Sequence, residues 1–264
     1  MNMYSSAAIT GAVNLALFGV VVLIRRRVHK EGLAAFGLRR DARSWRLLLQ
    51  GFVAGALAFL AYPIAVVGSG VGTLSVAGQQ LPATLLLLVS WGLADIGVAL
   101  FEEALFRGYL LQKLCVRFSR AGGIAGQALL TAAFHLMAYS GAEYLWLGLL
   151  NAALLAALLA VVVQRTQSLM PAVGFHAMWD LSETILLLYG TDGVETIWNL
   201  HVEEGIWTGT HSTPETGLIV SFVLVGMSLL LTFCCRGLMP GHTLLAPPGR
   251  PALAVGVEHR LSPP

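Results

Sequence analysis

The chain is short of charge. Asp, Glu, Lys and Arg make up 11% of its 264 residues, where a soluble domain has about 25%, and 56% are hydrophobic. A water-soluble globule does not fit that balance. Cysteine is scarce too: Cys115, Cys234 and Cys235 all fall in or beside apolar stretches, so a disulfide framework is excluded and they read as small packing residues. The pair Cys234 and Cys235 at a membrane edge is the alternative, as an acylation site. A net charge of +2 gives no support to nucleic-acid binding. The sequence has no P-loop, no dinucleotide fingerprint, no internal repeat and no N-x-S/T acceptor. Its 29 glycines and 10 prolines follow no collagen or coiled-coil period.

What the chain does have is long apolar blocks, at about 7–24, 47–67, 82–101, 121–139, 144–163, 171–189 and 217–235. Each approaches the ~20 residues a helix needs to cross a bilayer. They predict an all-α polytopic membrane helix bundle with about seven transmembrane helices, or eight if the third block divides. The first block lacks a basic n-region and is followed by Arg25, Arg26, Arg27 and Lys30, which reads as an uncleaved anchor with its N-terminus outside. Basic residues then fall on one side: Arg39 to Arg46, Lys113, Arg117, Arg120, Arg165 and Arg236. The joints at 68–81, 140–143 and 190–216 carry no Lys or Arg. Residues 1–236 are expected to form one transmembrane domain, and the proline-rich 237–264 a disordered cytoplasmic tail. The stretch 82–117 as one helix is about 54 Å long, more than the membrane is thick, so it must bend, project or divide. Gly92, Gly97 and Gly108 offer places to do so. From Arg107 to Arg120, Gln112, Lys113, Arg117 and Arg120 recur opposite Leu110, Leu111, Leu114 and Phe118, the pattern of an interfacial helix.

Charges inside apolar blocks cost about 2.5–3.5 kcal/mol each, and here they cluster. Asp95, Glu102, Glu103, Arg107, His135, His176, Asp180 and Glu183 lie within or at the edges of blocks three, four and six. Glu103 and Arg107 are four apart and can pair on one face. That leaves Glu102 directed elsewhere, a desolvated carboxylate suited to proton transfer. His176 and Asp180, also four apart, fit a catalytic dyad, half a metal site or a structural hydrogen bond. Glu183 continues that face outward, where solvent exposure is the simpler reading. If the chain reverses near Ser119 to Gly123, Glu102 and His135 lie at equal depth, about 24 Å from the turn. His176 is then closer to the basic joint, so the three groups meet only if 102–120 tilts, bends or leaves the membrane. Asn151 is expected to hydrogen-bond another helix, and Asp95 to tune a cavity or contact headgroups.

The run Glu102-Glu103-Ala104-Leu105-Phe106-Arg107 resembles the EExxxR motif of the CAAX protease and bacteriocin-processing (CPBP, or Abi) family. His135 is similar to the histidine of that family's FxxxH motif, and His176-Ala177-Met178-Trp179-Asp180 to its HxxxN/D motif. The resemblance covers about residues 85–190. Thr131 stands in place of the motif's phenylalanine, with Phe134 beside the histidine. Asp180 stands where prenyl-protein members have asparagine, so it must be protonated to donate to an oxyanion or else orient His176. The resemblance implies an intramembrane glutamate endopeptidase that needs no metal or other cofactor. Glu102 with His135 would activate water, His176 with Asp180 would stabilise the oxyanion, and Glu103 and Arg107 would brace the helix.

The implied partners are the lipid bilayer and a membrane-associated peptide or lipidated protein substrate. The short joints and missing glycosylation acceptor suit a bacterial inner membrane. A zinc protease is the nearest rival, since Glu102, His135, His176 and Asp180 are all competent ligands, although HExxH is absent. A proton-coupled transporter or a non-catalytic membrane module are further alternatives.

Overall fold

In hydrocarbon every backbone polar group must be satisfied within the protein, which favours helices for long apolar runs. The computed structural model of the chain describes residues 3–76, 81–187, 198–210 and 213–234, and it is an all-α membrane bundle. Its helices are α1 (Met3–Val28), α2 (Ala42–Gly68), α3 (Leu81–Glu103), α4 (Leu111–Arg117), α5 (Arg120–Phe134), α6 (Leu145–Thr166), α7 (Met170–Leu187) and α8 (Leu218–Cys234). The proline-rich tail, Cys235, and Asp192, Glu195 and His211 of the outer joint lie outside the described residues.

Among the described residues, four helical stretches are long and apolar enough to cross a membrane: Tyr4–Val28, Ala42–Gly68, Leu81–Arg117 and Leu145–Thr166. The fourth, sixth and seventh apolar blocks form the shorter α5, α7 and α8 instead. Large apolar side chains such as Leu57, Ile64, Leu85, Leu93 and Phe222 remain exposed on the outside of the bundle, as contact with lipid requires.

Three details go beyond or against what the sequence suggests. The outer joints are not plain loops. β1 (Gly72–Val76) and β2 (Trp198–Val202) pair antiparallel, with Leu74 opposite Leu200, which also puts these two joints on the same side. The stretch 82–117 does not divide at a glycine. It runs on as helix, with a π-helical segment at Ala104–Leu110 between α3 and α4. In α4 Gln112 is buried, contrary to its place on the polar face of the expected interfacial helix, because Arg25 reaches in to bond it. The reversal at Ser119 is as expected: its hydroxyl caps α5 by accepting from Gly122 N at 3.0 Å.

The close approach of α2 to α7 fixes where His176 sits. Gly51 and Gly55 on α2 lie against the backbone of Pro171 and Phe175, and Gly174 on α7 lies against Leu48 O. A Cβ at any of the three would run into backbone. This is small-residue packing of the kind that drives helix association where water cannot. Gly55→Leu is expected to cost about 1–3 kcal/mol by overpacking, measured by denaturant unfolding in mixed micelles. Unfolding at the wild-type midpoint would contradict so tight a contact.

Candidate active site

Glu102 and Glu103 end α3, and the π-helical turn begins at the next residue. π-turns use i→i+5 bonds and recur at functional sites; here Leu111 N bonds Phe106 O. Glu103 is fully buried, Arg107 nearly so, and Arg107 Nη1 lies 3.0 Å from Glu103 Oε1, the pairing their spacing predicts. Glu103 Oε1 also meets His176 Nδ1 at 3.0 Å. Spacing along one helix carries no signal for that second contact, which joins α3 to α7.

Glu102 is also buried, and its Oε2 has no hydrogen-bond partner. That oxygen lies 3.9 Å from His135 Nε2 and 4.0 Å from His176 Nε2. Both separations are too long for a direct hydrogen bond and short enough for a water to bridge Glu102 to either imidazole. Asp180 Oδ2 is 3.4 Å from His176 Nε2, one helical turn along α7.

These groups reach one depth because α4 and the π-turn run past the start of α7. A Cβ at Gly108 would lie 3.1 Å from Leu169, just ahead of α7. Glu103 stands five residues before Gly108 and His176 seven after Leu169, roughly 8 and 10 Å at ~1.5 Å per residue. That brings the three groups together, as the sequence requires of 102–120.

His135 is not inside a spanning helix; it caps the C-terminus of α5. Its Nδ1 lies 2.9 Å from Thr131 O, so the Nδ1–H donates to that carbonyl and Nε2 faces Glu102. The contact uses backbone, which explains how threonine fits where the related motif has phenylalanine. Phe134 supplies an aromatic ring nearby, edge-on to Phe101 at 6.3 Å and Phe106 at 5.5 Å. Tyr139 stacks on His135 at 6.0 Å.

Glu102, His135, His176 and Asp180 line a cavity of about 60 Å³, room for a few waters. Glu215 lines it as well, accepting from Trp179 Nε1 at 3.1 Å. Nothing local in the sequence marks Pro214–Thr216 as folding back over α6, so Glu215 carries no sequence signal for this place. Asn151 holds that turn, donating to Glu215 O at 2.7 Å and Gly217 O at 3.0 Å and accepting from Ser221 on α8 at 2.7 Å. Glu183 is half-buried and hydrogen-bonded to Glu215, not solvated as expected, for the same reason. Asp95 is buried on the side of His176 and Asp180. Among the described residues no group of three His, Cys, Asp or Glu side chains is arranged to hold a metal ion.

The long apolar helices are those of an integral membrane protein. Residues 82–182, a little over a third of the chain, match the family model described as Rce1-like, type II CAAX prenyl endopeptidase. Over this region the chain is similar to that family, and the region holds Glu102, Glu103, Arg107, His135, His176 and Asp180. Comparison with curated proteins and with solved structures gave no match.

Removing one partner of a buried ion pair strands the other. Arg107→Leu is expected to lower stability by about 3–5 kcal/mol, and the double replacement with Glu103→Gln to recover most of that. Denaturant unfolding of the three chains checks this; a single variant as stable as wild type would refute the bracing role.

Proposed function

We propose that the chain is an intramembrane endopeptidase in which Glu102 activates a water to cut a peptide bond in a membrane-associated, prenylated protein. The observation that carries this reading is Glu102 Oε2, buried and unbonded, within 4.0 Å of two imidazole Nε2 atoms.

Glu102 takes a proton from the water as the oxygen attacks the scissile carbonyl carbon, then passes it to the leaving amine as the C–N bond breaks. With Nδ1–H bonded to Thr131 O, His135 presents the Nε2 lone pair and holds the water against Glu102. Glu103 accepts Nδ1–H of His176, so in its doubly protonated form His176 turns Nε2–H toward the developing oxyanion. Asp180, 3.4 Å from that Nε2, orients it as a carboxylate or donates alongside it when protonated. Arg107 and Glu103 keep the π-turn rigid behind Glu102.

The Rce1-like match supports the protease class and a prenylated substrate. The short joints and the lack of an N-x-S/T acceptor favour a bacterial inner membrane.

Glu102→Gln and His176→Ala are each expected to reduce hydrolysis of a prenylated CAAX reporter peptide by at least about 10²-fold while the protein stays folded and inserted. Full activity in either variant rejects the assignment. Metal-stripped wild-type protein is expected to hydrolyse the reporter at the untreated rate. Activity lost on chelation and restored by zinc would favour a metalloprotease instead.

A further inference from the structure

The end of α1 and the chain that joins it to α2 lie outside the matched stretch, yet they bond both to the π-turn and to the residues just before α7. Arg25, near the end of α1, sits where an arginine ordinarily faces water or headgroups. Here it is 4% exposed. Its Nε donates to Glu31 Oε2 at 2.5 Å, Nη1 to Gly108 O in the π-turn, and Nη2 to Gln112 Oε1 at 2.6 Å and Ala35 O at 3.4 Å. The guanidinium also lies 4.7 Å over the ring of Phe36, a fully buried residue. Gln112 closes the group by donating to Ala35 O at 3.1 Å.

The other side of the same turn, the 3-10 segment Leu33–Phe36 with Gly37, belongs to α7. Gly37 O accepts from Leu169 N at 3.2 Å and Ser168 Oγ at 3.2 Å. Gly37 has φ +80°, and a Cβ there would come within 3.0 Å of Leu169 N. Phe36 sits between the two sides: a Cβ at Gly108 would be 2.6 Å from its ring. One turn of chain is thus bonded to the helix that carries Glu102 and Glu103 and to the start of the helix that carries His176.

We infer that Arg25 is a positioning residue. Through Gly108 and the Phe36–Gly37 turn it sets the spacing of the π-turn and α7, and so holds the Glu103–His176 bond that aims Nε2 into the cavity. A buried arginine repays its desolvation only when its donors are met, so the turn cannot drift from the π-segment without stranding a charge. The catalytic consequence rests on the peptidase reading above; the geometric consequence does not.

The test uses the full chain in lipid nanodiscs as wild type, Arg25→Gln, Arg25→Lys and the milder Ser168→Ala. Histidine ¹⁵N NMR, assigned with His176→Gln, reads the Nδ1 hydrogen bond of His176, and a prenylated CAAX reporter reads kcat and KM separately. Arg25→Gln is expected to lose the hydrogen-bonded Nδ1 signal and to lower kcat about ten- to a hundredfold, with KM little changed. Arg25→Lys keeps part of both, and Ser168→Ala moves both the same way by less. If the variants unfold more easily but keep the wild-type His176 signal and kcat, Arg25 is only a structural tie and the inference falls. If Arg25→Gln does not fold, Arg25→Lys and Ser168→Ala decide. If wild type does not cleave the reporter, the peptidase reading fails, and the NMR signal alone still decides the role of Arg25.

Discussion

Glu103 is a carboxylate with no access to water, and everything near the pocket is arranged around that cost. It is tolerated because Arg107 approaches from within its own helix and His176 from another. The two contacts fasten the π-turn to α7, and by using Glu103 they leave its neighbour free. Glu102, one residue earlier and about 100° around the helix, has an equally buried oxygen with nothing bonded to it. Glu103 Oε2 is likewise without a hydrogen-bond partner, so the two carboxylates differ in Glu103 Oε1, which meets both Arg107 and His176.

The two histidines are set apart by what stands behind each ring. A neutral carbonyl, Thr131 O, receives Nδ1–H of His135; a carboxylate, Glu103, receives that of His176. Both rings aim Nε2 at the same oxygen of Glu102. The first arrangement suits an acceptor toward water, the second a donor toward an oxyanion. Asp180 and Glu215 complete the wall on the cavity's other flank, and the Glu183–Glu215 bond ties α7 to the outer turn.

Features that depend on residues close in sequence were legible. The apolar blocks announced helices, four-residue spacing announced Glu103 with Arg107 and His176 with Asp180, and Ser119 announced the reversal into α5. The resemblance of three short motifs picked out residues that do converge. Contacts between distant segments were not legible: the Glu103–His176 bond, the fold-back of Glu215, the β1–β2 pairing and the burial of Gln112 by Arg25 have no periodic signature. The π-turn is equally silent, since Ala104 to Leu110 would suit an α-helix. Gly51 and Gly55, four apart in an apolar helix, did carry a usable signal for close packing that composition alone obscured.

The central claim is that Glu102 remains free to act on a water molecule because Glu103 absorbs the available partners. Single-turnover hydrolysis of a prenylated CAAX peptide in ¹⁸O water, followed by mass spectrometry of product and enzyme, tests it most directly. Water activated by Glu102 puts one ¹⁸O into the new carboxylate and none into the enzyme. An unlabelled product carboxylate with ¹⁸O recovered on Glu102 would mean that the side chain itself attacked, and would contradict the account.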